Sequence, residues 1–341
     1  MRLSQFQLGL LTAGIALEIQ SLLGNDYLHR RFAGGRPSLL GLITAFCRRL
    51  KRLRQSDSFD LAIVYGELLP FLPGWLERRF LKTPFIYDLD DAFYLKYRTG
   101  RSCWLQPLLG GKCERMMVAA VAVTAGNAEL ATYALRFNSN VMLLPSVVDT
   151  DHYFPAEPHP SNKKSSTFIV GWIGSPSTAL YLMQLVEPLQ QLALEHAVCL
   201  HVVGGPAPSI AGVEVIEQRW SLEQDVPMIQ QFDVGVMPLP DSQWARGKCA
   251  YKLIQCMACG IPVIASPVGA NVAAVPGSCG ILANSTQQWL AAFRQLAGDP
   301  EMRRRMGAAG RQWVVQHYSQ RSVLPDLTDV ILRASADHPK A

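Results

Sequence analysis

The chain has 341 residues, 49% apolar and 17% charged, with 22 Pro, 26 Gly and no tripeptide period. This excludes a disordered chain, a collagen-like fibre and a coiled coil, and leaves room for about two domains that need no disulfide or metal staple. The net charge of +5 is uneven: residues 1–150 hold 18 Lys/Arg against 12 Asp/Glu, and residues 151–341 hold 14 against 15. The basic first half is therefore suited to an anionic surface or substrate.

From the N-terminus, the apolar stretch Leu8 to Leu23 is interrupted by Glu18 and Gln20 and falls short of the ~20 residues of a membrane span. No small-residue cleavage site follows, and the apolar spacing predicts a packed helix. Arg48, Arg49, Lys51, Arg52 and Arg54 then interleave with Leu50 and Leu53. On a helix this run is either a face for an anionic membrane or a solvated face with snorkelling side chains. Strands are expected at Leu61–Tyr65, Phe85–Asp88, Ala119–Thr124 and Val141–Leu144, with helical patterns between them. No strand with a Gly-containing turn precedes Leu61, so the first domain lacks its opening strand, through a start upstream of Met1 or through degeneracy.

The stretch from Pro145 to Ser166 is rich in Pro and Ser and lacks periodicity. It divides the chain into a domain at 1–150, a linker at 151–166, a domain at 167–320 and a terminal helix and tail at 321–341. The second domain shows strand runs at Phe168–Ile173, Val198–Val203, Val213–Ile216, Val234–Met237, Pro262–Ala265 and Gly280–Leu282. Helical patterns cover Pro176–Glu195, Ala250–Cys259, Gln287–Leu296, Pro300–His317 and Val323–Ala334. Alternating strands and helices in both halves define an α/β protein of two doubly wound, Rossmann-like domains, which bind ligands at the carboxyl ends of their strands. Eight dispersed Cys read as core thiols of a reducing, cytosolic compartment.

The segment Arg246-Gly-Lys-Cys-Ala-Tyr-Lys-Leu-Ile-Gln-Cys-Met-Ala-Cys-Gly-Ile-Pro-Val-Ile-Ala-Ser-Pro-Val-Gly269 is the most informative. It places Arg246, Lys248 and Lys252 around a helix N-terminus, where the macrodipole disfavours cations. An anion among them, held also by free backbone N–H groups, accounts for the arrangement; three solvated cations are the alternative. The segment resembles the signature of glycosyltransferase family 4, a retaining group with the GT-B fold. Val170-Gly-Trp-Ile-Gly-Ser-Pro-Ser-Thr178, Thr124-Ala-Gly-Asn-Ala-Glu-Leu-Ala131 and Pro145-Ser-Val-Val-Asp149 agree in order and spacing, as do Met306-Gly and Gly310-Arg in the tail.

The resemblance implies two domains facing across a cleft and sugar transfer from a nucleotide diphosphate donor to a glycan or lipid-linked acceptor. It implies no obligatory metal and no cofactor. Arg246, Lys248, Lys252, Ser175 and Thr178 would hold the diphosphate, with helix capping as the other role of the two hydroxyls. Gly174, Arg219, Trp220 and Gln255 would meet the donor sugar or nucleoside, with a place in the core as the other role of Trp220. Many members carry a glutamate at each end of a short stretch ending in this helix; here Gly247 and Gln255 take those places. That departure leaves the donor open. In the first half, Tyr87-Asp-Leu-Asp-Asp-Ala92 puts Asp90 and Asp91 where the family has a His-Asp pair, Asp90 being suited to accept the proton of the incoming hydroxyl or to stabilise developing positive charge, with one aspartate capping the next helix and the others solvated as the alternative. Asp88 and Asp90 also spell a short Asp-x-Asp metal motif. Glu67 and Asn127 are acceptor-side candidates, with N-capping the other role of Asn127.

No Walker loop, dinucleotide Gly fingerprint, nucleophile elbow or His ligand spacing occurs, Cys256 and Cys259 have no second pair, and the basic half lacks the aromatic interleaving of a nucleic-acid binder. The reading is a retaining, metal-independent glycosyltransferase, cytoplasmic and peripheral to the membrane. The alternatives are a degenerate GT-B scaffold and a nucleotide-sugar epimerase of the same fold.

Overall fold

A computed structural model describes residues 2–24, 38–157 and 167–336. The chain forms two compact units, one of residues 1–145 with 324–341, the other of residues 146–323. Tyr153, in the segment expected as linker, is buried in the second unit; residues 158–166 of that segment lie outside the described residues.

The first unit is built on a parallel sheet of β1 (Ala62–Tyr65), β2 (Phe85–Leu89), β3 (Ala122–Ala125) and β4 (Val141–Leu143), in that order. Every residue of β2 and β3 is buried, which explains why they are apolar but for Asp88 and Thr124. Its longer helices include α1 (Gln7–Thr12), α2 (Leu39–Arg54), α3 (Gly74–Phe80), α4 (Lys112–Ala119) and α5 (Ala128–Ala134). Among the described residues no strand precedes β1, which forms the sheet edge. The register sets Tyr65 beside Asp88 and Asp88 beside Thr124.

Two expectations here are corrected. The packed helix expected over Leu8–Leu23 ends at Thr12, with Gly14 at φ +81°, and Leu8 and Leu11 are 77% and 60% exposed. Residues 15–21 carry no regular structure. Ala119 closes α4 instead of opening a strand, because Met116 and Met117 drive that helix into the core.

The second unit holds a six-stranded parallel sheet in the order β10-β9-β8-β5-β6-β7. The strands are β5 (Phe168–Ile173), β6 (Val198–Val203), β7 (Glu214–Gln218), β8 (Val234–Met237), β9 (Val263–Ala265) and β10 (Gly280–Leu282). One core cluster gathers Phe232, Leu253, Ile254 and Met257; another gathers Trp172, Leu182, Leu189 and Phe293. The chain runs outward from β5 to β7, then returns to β8 on the other side of β5. The carboxyl end of β5 therefore lies at the switch point where such sheets take ligands.

The helix expected over Pro176–Glu195 is broken into Pro176–Ala179, a 3-10 stretch Leu180–Leu185 and α6 (Val186–Leu192). The edge strand β7 sits one to two residues later than expected, since its mostly exposed residues give no apolar run to mark its bounds. The second unit also holds α7 (Tyr251–Ala258), α8 (Thr286–Gly298) and α9 (Pro300–His317), and α10 (Gln320–Ala336) belongs from Leu324 onward to the first. No helix among the described residues is long and apolar enough to cross a membrane.

Candidate functional site

In the second unit the turn after β5 and the start of α7 converge on Lys252. Its ammonium donates to Thr178 Oγ1 at 3.1 Å and lies 3.9 Å from the centroid of the Trp172 ring. Among the described residues it has no carboxylate partner. Burial, then the nearby Lys248 charge, lowers its pKa to about 7. A desolvated cation facing a π surface and a hydroxyl is held at a cost that an incoming anion relieves. Ala250, which precedes α7, adopts the left-handed region at φ 54°, a strained conformation of the kind that clusters at functional sites.

Gly174 leaves room for this packing: a Cβ there would come 2.3 Å from Lys252 Nζ and 2.7 Å from the Trp172 ring, so the ammonium would have to shift. Ser175 precedes the short Pro176–Ala179 helix, yet its side chain makes no capping bond; its hydroxyl lies 2.9 Å from Ser177 Oγ and 3.4 Å from Thr178 Oγ1. Gly204, at φ +87°, lets the next loop approach, since a Cβ there would be 2.3 Å from Gly174 O and 3.2 Å from Trp220 Cβ. Trp220 is 48% exposed, which makes it a surface group beside the turn and not a core residue. Arg219 is exposed next to it.

The other predicted donor contacts are placed differently. Arg246 is bidentate to Asp241, with Nε at 2.6 Å and an Nη at 2.9 Å, and both side chains are largely exposed. Lys248 sits 5.8 Å from the Trp244 ring centroid. Gln255 is buried, and its amide donates to Tyr153 Oη at 2.8 Å. Tyr153 in turn donates to the buried Asp225 at 2.5 Å, and His152 Nε2 lies 3.3 Å from that carboxylate. The Gln255 amide thus spends a donor on the packing of α7 against residues 152–153. Sequence reasoning missed this network.

In the first unit Asp90 leaves the carboxyl end of β2 and accepts a hydrogen bond from Tyr65 Oη at 2.8 Å. Burial pushes its carboxyl up to about 6; the Tyr65 bond opposes this and the neighbouring Asp88 charge adds to it. Asp88 is fully buried, paired with Arg2 Nε at 3.0 Å and accepting from Thr124 Oγ1 at 2.7 Å. It therefore serves as a buried counter-ion to Arg2. Asp91 Oδ1 accepts from the Ala92 N–H at 2.9 Å. Arg2, whose Nη2 also reaches Leu144 O, was not singled out by the sequence, where nothing pairs it with a residue 86 positions away.

Glu67 belongs to a brace under the loop that follows β1. It pairs with Lys112 at 2.9 Å and with Lys96, and accepts from Tyr97 Oη at 2.8 Å. Burial raises its pKa, but these cations outweigh burial and hold it below the usual carboxylate range. Lys112, almost fully buried, also pairs with Glu77 at 2.9 Å and donates to Leu69 O at 2.8 Å, and Glu77 receives the Leu69 N–H at 2.5 Å. Asn127 caps α5, accepting from Leu130 N at 2.8 Å. No group of three or more His, Cys, Asp or Glu among the described residues is arranged to hold a metal ion.

Two parallel α/β units with this strand order define a GT-B protein. Sucrose-phosphate synthase from Thermosynechococcus elongatus superposes with a TM-score of 0.64 at 18% identity, over 89% of this chain and 80% of that one. Anabaena HepE in complex with UDP and glucose gives 0.65 at 16% identity, over 96% and 89%. A glycosyltransferase from Rickettsia africae gives 0.59 at 13% identity, over 96% and 86%. Residues 167–299, from β5 to the end of α8, match the family described as glycosyl transferases group 1. Comparison with curated proteins finds no match.

Proposed function

We propose that the protein is a glycosyltransferase that takes a sugar from a nucleotide diphosphate donor, with retention at the anomeric carbon and without an obligatory metal. The observation that carries this reading is Lys252, a largely buried ammonium with no carboxylate partner among the described residues, at the switch point of the second sheet. A diphosphate seated there gains a charge-assisted contact with Lys252, hydroxyls from Ser175 and Thr178, and the dipole of α7. Lys248 adds charge nearby. As the bond from the anomeric carbon to the diphosphate breaks, these groups stabilise the charge developing on the leaving oxygen. In this reading the exposed ring of Trp220 stacks on the base. The match of residues 167–299 to glycosyl transferases group 1 supports the reading, and HepE, of the same fold, binds UDP.

In this reading Asp90 takes the proton of the acceptor hydroxyl as the new glycosidic bond forms, and a carboxyl near 6 is ionised yet still basic at neutral pH. The acceptor is a glycan or lipid-linked intermediate, reached at an anionic membrane surface. A thermal-shift panel of UDP, GDP, ADP, dTDP and CMP with their sugar conjugates tests the proposal. A ligand at ~100 times its Kd adds about 2.7 kcal/mol, which raises the midpoint by a few degrees. One nucleotide is expected to stabilise the wild type and not Lys252→Ala. A flat panel on folded protein favours a non-catalytic scaffold.

A further inference from the structure

At the carboxyl end of β1 one phenol is fixed from three sides. Parallel pairing sets Tyr65, the last residue of β1, beside Asp88, so its side chain reaches the segment that follows β2. Its Oη donates to Asp90 Oδ2 at 2.8 Å. The Phe93 ring meets the Tyr65 ring edge-on, with centroids 5.6 Å apart and planes at 82°. The next residue, Gly66, makes room for that contact: it lies at φ +63°, and a Cβ there would come 3.3 Å from the Phe93 ring. The Gly66 carbonyl accepts from the buried Tyr87 Oη at 2.7 Å, and its N–H donates to Asp88 O at 3.3 Å.

Packing alone does not call for this arrangement. The Tyr65 side chain is 48% exposed, so it does not fill the core, and a phenol at the surface finds hydrogen bonds in water. The turn pinned from β2, the edge-to-face clamp and the bond to a carboxylate instead restrict the ring to one orientation, with its hydroxyl on Asp90.

We propose that Tyr65 is a positioning residue for Asp90: its clamped hydroxyl holds the carboxylate in one orientation and in its proton-accepting form. The purpose of that positioning rests on the reading of Asp90 as the base of a transferase. The groups that face Asp90 are Tyr65 from β1, Asp88 from β2, Arg2 from the N-terminal segment and the adjacent Asp91. The two aspartates favour a protonated Asp90, whereas Arg2 and the Tyr65 bond favour the carboxylate. Partial burial, then the Asp90 charge, pushes the Tyr65 phenol above its ordinary value, so it remains a donor at neutral pH. Removing its oxygen deletes a bond to the charged form and leaves burial, Asp88 and Asp91 in place, so the Asp90 carboxyl must rise.

Carbon NMR of protein labelled at the aspartate Cγ, with Asp90→Asn assigning the signal, follows this carboxyl without any substrate. The wild type is expected to titrate near 6 and Tyr65→Phe about one pH unit higher, with an unchanged melting midpoint. Phe93→Leu, which keeps the hydroxyl but loosens the ring, is expected to move the titration in the same direction by less. In a pH–rate profile of nucleotide release, the acid inflection of Tyr65→Phe is expected to rise with the NMR value. Its affinity for the nucleotide selected by the thermal-shift panel is expected to match the wild type. An Asp90 signal that titrates alike in the wild type and Tyr65→Phe, or that moves downward in the variant, would overturn the proposal. A raised titration in a protein that releases nucleotide from no donor would uphold the positioning and sink the transferase reading, so the two failures are distinguishable.

Discussion

If a nucleotide diphosphate such as UDP seats at Lys252, as proposed, donor affinity depends on pH. Its pKa of about 7 lies below the 10.5 of a free lysine, because burial and Lys248 disfavour the ammonium. A diphosphate supplies the missing counter-charge and must raise that pKa, so binding takes up a proton wherever free Lys252 is neutral. At pH 8 about nine-tenths of free Lys252 is deprotonated, and each UDP bound should take up about 0.9 proton. UDP affinity should then fall about tenfold from pH 8 to 9, the 1.36 kcal/mol of one pH unit. Titration calorimetry in buffers of differing ionisation enthalpy measures the uptake directly. Lys252→Arg, charged throughout, should bind UDP with no uptake at pH 8, and Lys248→Met should reduce the uptake by raising the Lys252 pKa. Saturable UDP binding by the wild type at pH 8 without proton uptake would refute the reasoning. The sign for folding is opposite to that of a paired lysine. The unfolded chain binds the extra proton between about pH 7 and 10.5, so this group makes stability rise with pH across that window.

Gly174→Ala should weaken UDP binding about tenfold or more, because the new methyl displaces the Lys252 ammonium from Trp172 and Thr178; equal affinity by calorimetry would contradict this. Asp90→Asn should lower kcat by about 10²–10⁴ while leaving UDP affinity unchanged, and the wild-type rate should fall as pH drops through about 6. Arg2→Gln, which removes the cation paired with Asp88, should move that inflection upward in a pH–rate profile. Lys112→Met leaves Glu67 and Glu77 buried without their shared cation and should cost about 3–5 kcal/mol in denaturant unfolding.

The sheets were legible in the sequence because buried parallel strands are written as continuous apolar runs: Val234–Met237 and Val198–Val203 stand where their composition puts them. Elements that owe their shape to packing were not. Nothing local in Leu180–Leu185 announces a 3-10 stretch, and the apolar spacing of Leu8–Leu23 imitates a helix that Gly14 ends early. At the site, Lys252 was visible as a cation at a helix start, where the macrodipole makes it anomalous. Its partner ring Trp172 lay in the quoted Gly-Trp-Ile-Gly string, yet its role depends on the third dimension. Gln255 and Glu67 illustrate the limit of residue type as a guide. Each can contact a hydroxyl, but Tyr153 claims the amide of one, and Lys112 and Lys96 the carboxylate of the other. Arg2 is paired across 86 residues, and no local pattern encodes such a contact.

The most direct test of the account is phosphorus NMR of UDP-, GDP-, ADP-, dTDP- and CMP-sugars incubated with the protein, in parallel with Lys252→Ala. The account predicts that one donor is converted to its free nucleotide by the wild type, and more slowly by at least tenfold by the variant. Nucleotide release at equal rates from both proteins, or release from no donor when Lys252 is intact and the chain folded, would contradict it.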